Sequence, residues 1–123
     1  MPAFSPQAFA EHWIDAWNRR DVEAVLSWFA ENVTFTSPKA TVETGSPTVH
    51  GKAALRTYWL KALEGVESLE FILDSVSYDA ERRTLVILYT ASRDDRMVRA
   101  CEISRFDAHG QVTFGEALYG AML

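Results

Sequence analysis

Hydrophobic and polar positions change period along this chain, and each change marks an element. Ser5-Pro6 reads as a helix N-cap followed by proline at the first helical position. Phe9, Trp13, Ala16 and Trp17 then recur at helical spacing. That helix is expected to end near Asn18-Arg19-Arg20. Asp21 then caps a second, shorter helix with a buried stripe of Val22, Val25, Leu26 and Phe29, so the two form a hairpin. From Asn32 the period drops to two, with Val33, Phe35 and Ser37 on one side and Thr34 and Thr36 on the other, until Pro38 stops the strand. Residues 39 to 49, which include Gly45, Ser46 and Pro47, keep no apolar period and read as a loop. Gly51 opens a third helix whose buried face carries Leu55, Tyr58, Trp59, Ala62 and Leu63, and Gly65 closes it.

Beyond Gly65, four strands are expected at roughly 68–78, 83–92, 96–106 and 111–119, joined by turn sequences too short for anything but an antiparallel meander. Helices first and strands after make an α+β order, and a sheet of this size has to bury one face against those helices. The length, 123 residues with 48% hydrophobic, fits a single domain spanning 1–123.

Charge narrows the functional classes. The net charge of −5 comes from acids and bases mixed along the chain without a basic block, which argues against nucleic acid as a partner. No stretch is long and apolar enough to span a bilayer, and the first six residues lack a targeting signature. The single cysteine, Cys101, fits a reducing, cytoplasmic setting. The glycines form no phosphate loop, and no Cys/His spacing suits zinc, so no cofactor and no metal are expected.

Candidate chemistry centres on the strand at 96–106. Alternation puts Val98, Ala100, Glu102, Ser104 and Phe106 on one face and Met97, Arg99, Cys101, Ile103 and Arg105 on the other. Were the first face inward, a lone carboxyl would sit among apolar side chains, where desolvation favours the neutral acid and equips it to donate a proton. Alternation alone leaves open whether that face is inward or Glu102 is a solvated sheet carboxylate. The aromatic residues are spread over nearly every element; most must be core, while two or three have the polar tips and bulk to line a cavity. Of the three histidines, His109 falls in a turn. His12 and His50 are the better-placed candidates for a proton-accepting role, though a lone histidine is more commonly structural.

Trp17-Asn18-Arg19-Arg20-Asp21, the run from Phe29 to Phe35, Ser37-Pro38, and Val49-His50-Gly51-Lys52-Ala53-Ala54-Leu55 with Tyr58-Trp59 together resemble the nuclear transport factor 2-like superfamily. Its SnoaL-like and ketosteroid isomerase-like members are the nearest in pattern, and the closing segment from Arg105 to Val112 resembles their last hairpin. The resemblance implies a cone: a strongly curved, mostly antiparallel sheet packed around three N-terminal helices, with a pocket at the wide end. It also implies a homodimer formed through the outer sheet face, here the side of Cys101 and Ile103.

Residue by residue, the resemblance sets Ser37 where the isomerase carries its aspartate base, Trp13 where it carries an oxyanion-binding tyrosine, and Glu102 where it carries a protonated aspartate. Only the third keeps its chemical type, which argues against steroid isomerisation by that route. Other relatives use Asp-Arg-Asp sets; Arg56 and Asp74 are conceivable members of one here, with surface charge the plainer role.

The expected function is binding of a small hydrophobic metabolite, carbonyl-bearing or cyclic. Glu102 would act as anchor or proton donor, and Trp13, Trp17, Phe35, Ser37, Tyr58 and Tyr119 would line the pocket. An enzymatic version would be a cofactor-free isomerase, cyclase or dehydratase with His12 or His50 supplying the base. The rival is a non-catalytic ligand carrier or a dimerising interaction module whose pocket is filled by its own side chains.

Overall fold

A computed structural model describes residues 4–123; the first three positions, part of the N-terminal segment read for targeting signals, lie outside the described residues. The chain begins with α1 (Pro6–Asn18). The Ser5 hydroxyl accepts from the Ala8 N–H at 3.2 Å, and Pro6 occupies the first turn, where its missing N–H costs nothing. Helix α2 (Val22–Leu26) is capped by Asp21, which accepts from Ala24 N at 3.0 Å. Phe29, expected on that helix, instead opens β1 (Phe29–Thr36). Its side chain is buried in either conformation, so apolar periodicity could not tell a helix end from a strand start.

The stretch expected to be a loop holds two elements, α3 (Pro38–Thr44) and β2 (Thr48–His50), which makes four helices rather than three among the described residues. Ser37-Pro38 repeats the cap-and-proline signal of α1, and Gly45 ends α3 in the left-handed conformation at φ 82°. Only Ala40 of α3 is buried, so the helix has no apolar stripe to betray it. Helix α4 (Lys52–Leu63) follows Gly51 and buries Leu55, Tyr58 and Trp59.

Strands β3 (Leu69–Asp79), β4 (Thr84–Arg93), β5 (Arg96–Phe106) and β6 (Val112–Met122) form the expected meander. All six strands of the described residues join one curved, unclosed sheet in the order β2-β1-β6-β5-β4-β3, antiparallel except for the β1–β6 pair. Bulges interrupt the register in β3 between Leu73 and Ser75 and between β5 and β6 near Val98 and Phe106; such insertions bend a strand and increase its twist. The concave face receives α1, tied to the sheet by the Asn18 side chain. Its amide donates to the Phe71 carbonyl at 3.0 Å, and its oxygen accepts from the Phe71 N–H at 2.7 Å. Among the described residues, no helix is long and apolar enough to cross a membrane.

Candidate functional site

Between α1, α4 and the concave sheet face lies a cavity of about 770 Å³, in the size range of small-molecule sites. Helix α1 contributes Trp13 and Trp17, β1 contributes Phe35, and Ser37 caps α3 at its wall. Tyr58 and Trp59 come from α4, Tyr89 from β4, Glu102 from β5 and Tyr119 from β6. Aromatic packing holds these walls in place: Trp17 meets Trp59 edge-on at 5.0 Å, Trp13 meets Tyr89 at 5.1 Å, and Phe71 lies 4.8 Å from Tyr89.

The face of β5 that carries Glu102 is the buried one, and Glu102 is 3% exposed. Its cross-strand neighbours are Ile87 and Ala117, which offer neither charge nor hydrogen bond. Burial alone raises the Glu102 carboxyl well above the usual carboxylate range. Ionising it there would cost several kcal/mol, of order what an unpaired buried charge demands, so the neutral acid is the stable form. A neutral carboxyl carries an O–H donor that an ionised one lacks.

Gly115 explains how the carboxyl fits. A Cβ there would lie 2.9 Å from Phe35 Cδ1 and 3.7 Å from Glu102 Oε2, so the bare backbone lets the Phe35 ring and the carboxyl close over β6.

Around the carboxyl stand three phenols. Burial pushes Tyr58 up, with the nearby Ser37 hydroxyl opposing the shift, and burial followed by the proximity of Glu102 pushes up Tyr89 and Tyr119. All three therefore stay protonated at neutral pH. Ser37 Oγ accepts from the Lys39 N–H at 3.2 Å, which commits one of its lone pairs to the α3 cap. Trp13 Nε1 and Trp17 Nε1 are buried donors without a hydrogen-bond partner among the described residues.

The two histidine candidates do not join this group. His12 is exposed on α1, edge-on to Trp28 at 5.9 Å, and His50 is exposed at the end of β2 beside Thr34 Oγ1 at 3.5 Å. Both point away because their elements turn other residues inward, Trp13 on α1 and Val49 on β2. Arg56 pairs with Glu23 at 2.6 Å and Asp74 with Arg99 at 2.5 Å, outside the cavity, so neither belongs to an Asp-Arg-Asp set. Among the described residues no cluster of three or more metal-ligating side chains occurs.

Sequence reasoning passed over four parts of the site. Tyr89 shares the buried face of β4 with Leu85, Ile87 and Ala91, a period that marks it as inward. Lys39 was hidden with the rest of α3. Arg93 and Arg96 flank a turn, where exposed charge carries no signal, and the role of Gly115 depends on a neighbour 80 positions away.

Comparisons with known proteins agree with this architecture. A SnoaL-like protein of unknown function from Burkholderia thailandensis is 28% identical, with 94% of each chain covered and a TM-score of 0.82. An NTF2-like protein of unknown function from Burkholderia pseudomallei is 18% identical, covering 95% of this chain and 92% of its own, with a TM-score of 0.77. TerC, co-crystallised with polyporic acid, is 15% identical over 94% of this chain and 92% of its own, with a TM-score of 0.74. At such identities the last two speak to the fold alone. No curated protein matches the chain. The family model of the SnoaL-like domain matches residues 10–114, from the middle of α1 into β6, and on that match the chain belongs to the SnoaL-like domain family.

Proposed function

We propose that this protein binds a small hydrophobic, carbonyl-bearing or cyclic molecule in the cavity, with the neutral Glu102 carboxyl donating a hydrogen bond to an oxygen of the ligand. The observation that carries the reading is a desolvated carboxyl at the inner wall of a cavity whose interior is mainly aromatic and aliphatic, with Ser37 among the lining and the other charged residues at the exposed opening. Apolar walls supply affinity by area removed from water, and the Glu102 O–H, with the unpaired Trp13 and Trp17 indole N–H groups in the same lining, selects for acceptors, because leaving a buried donor unpaired in a complex is costly.

The catalytic form of this reading is a cofactor-free isomerisation, cyclisation or dehydration in which Glu102 gives a proton to the ligand oxygen. The non-catalytic carrier is the form we favour. Its support is specific: the expected bases, His12 and His50, are exposed outside the cavity, Ser37 stands where a base would be needed, and the phenols are held in their protonated forms. The reading includes a homodimer formed through the outer sheet face. There Met97 and Leu118 are exposed and Cys101 and Ile103 half-buried, and the single thiol fits a reducing cytoplasm.

Calorimetric titration with 2-acetylnaphthalene and its oxygen-free counterpart 2-isopropylnaphthalene tests the anchor. The ketone should bind about two- to tenfold tighter, the net worth of one hydrogen bond, and Glu102→Leu should abolish that difference. Equal affinities for ketone and hydrocarbon in the unsubstituted protein would refute it.

A further inference from the structure

The opening of the cavity has a chemistry unlike its interior. Where lining residues become exposed, three are cations: Lys39 on α3, Arg93 at the end of β4 and Arg96 at the start of β5. Arg93 and Arg96 are cross-strand partners in the β4–β5 register. Like charges placed directly opposite destabilise a strand pair, so the hairpin end carries a local electrostatic cost. Among the described residues, none of the three has a carboxylate within salt-bridge distance, whereas five other ion pairs form elsewhere on the surface.

Lys39 illustrates the crowding. Although much of the residue is exposed, its ammonium sits 4.2 Å from the centroid of the Tyr119 ring. Burial lowers its affinity for the proton, and the nearby Arg93 and Arg96 lower it further.

Among the described residues, the acids at the opening offset part of this charge without forming an ion pair with any of the three cations. Asp94 and Asp95 also line the opening, but Asp94 Oδ1 accepts from the backbone N–H groups of Glu67 at 2.9 Å and Ser68 at 3.0 Å. Three cations and two carboxylates therefore line the opening, a surplus of one positive charge on a chain whose net charge is −5. An anion seated among the cations would relieve the repulsion and gain attraction. Arg93 Nη2 makes one long contact to the Ala62 carbonyl at 3.4 Å, which leaves its other donors and the Arg96 fork for a planar, bidentate acceptor and favours a carboxylate over a spherical anion.

Resting on the cavity-binding reading above, we infer that the ligand is an amphipathic acid. Its carboxylate lies at the opening among Lys39, Arg93 and Arg96, its apolar ring body fills the aromatic chamber, and an oxygen at its far end meets Glu102. The two polar anchors then fix which way round the molecule enters.

The test uses matched pairs built on phenyl, naphthyl and biphenyl bodies, each with an acetyl group at one end and either a carboxylate or a neutral carboxamide at the other. Binding is measured by calorimetry at about 20 mM and about 0.5 M salt. The best-fitting carboxylate should bind about tenfold tighter than its carboxamide at low salt, and the advantage should shrink several-fold at high salt, because exposed charges are screened. Arg93→Glu/Arg96→Glu should invert the preference within the same protein. Arg96→Gln, a milder change that spares the fold should the reversal not be tolerated, should reduce the ratio by half or more. Carboxamide binding with no carboxylate advantage overturns the inference and leaves the cavity reading standing; the cations would then serve only to keep the sheet edge soluble. Failure of all six probes to bind overturns the cavity reading and this inference with it.

Discussion

Replacing Glu102 by glutamine should make the folded protein less sensitive to rising pH. In the folded state burial holds the Glu102 proton well above the ordinary carboxylate range, whereas in the unfolded chain the same group titrates near its ordinary value of about 4.3. Between those two values the native state binds one proton more than the unfolded state. The stability this group contributes is therefore fully present below the unfolded value and is lost as pH climbs toward the folded one. The loss is about 1.4 kcal/mol for each pH unit inside that window. Glutamine removes the linkage while keeping shape and a donor, so the stability difference between Glu102→Gln and the original should grow in favour of the variant by that slope from about pH 5 upward. In thermal terms this is roughly 5 °C per pH unit for a domain of this size. Any fixed cost of the buried amide shifts the two curves apart without changing their relative slope, and every other titrating group is common to both proteins. Urea denaturation of both across pH 5 to 8 reads the slope directly. Parallel pH profiles would refute the reasoning, since they would mean that the carboxyl ionises in the folded state as easily as in the unfolded one.

Gly115→Ala should lower stability by about 1–3 kcal/mol and weaken ligand binding, because a Cβ 2.9 Å from the buried Phe35 ring must push that ring toward the cavity; thermal melts and calorimetry check the two effects separately. Asp94→Ala should cost about 1–3 kcal/mol in urea unfolding through two lost acceptor contacts to Glu67 and Ser68, whereas Asp94→Asn, which retains an acceptor oxygen and tolerates the positive φ of 54°, should cost clearly less. His12→Ala and His50→Ala, made together, should leave the affinity for 2-acetylnaphthalene within twofold of the original, as both side chains lie outside the cavity; a larger change by calorimetry would contradict their placement.

Local patterns in the sequence determined much of this molecule. The caps at Ser5 and Asp21, the helical stripes of α1 and α4, and the alternation of β3 to β6 are set by near neighbours along the chain, so they are readable without a fold. Of the six side chains expected to line a cavity, Trp13, Trp17, Phe35, Tyr58 and Tyr119 face it from the inward side of a regular element, and Ser37 reaches it as the cap of α3. What a lining side chain does there is a separate matter that only binding measurements decide.

Other features depended on contacts between distant segments. Helix α3 and strand β2 bury too few residues to leave a period, and β2 exists only because β1 offers an edge to pair with. Alternation gave Glu102 a face but not an environment. The concave packing of α1 and α4 against the sheet removed water from that face and so set its protonation. The same packing turned His12 and His50 outward and brought Lys39 to the opening shared with Arg93 and Arg96, from a segment more than 50 positions earlier in the chain. Periodicity reports which side of an element is buried. Desolvation, charge proximity and cavity shape belong to several elements at once, and they come into being only when those elements meet.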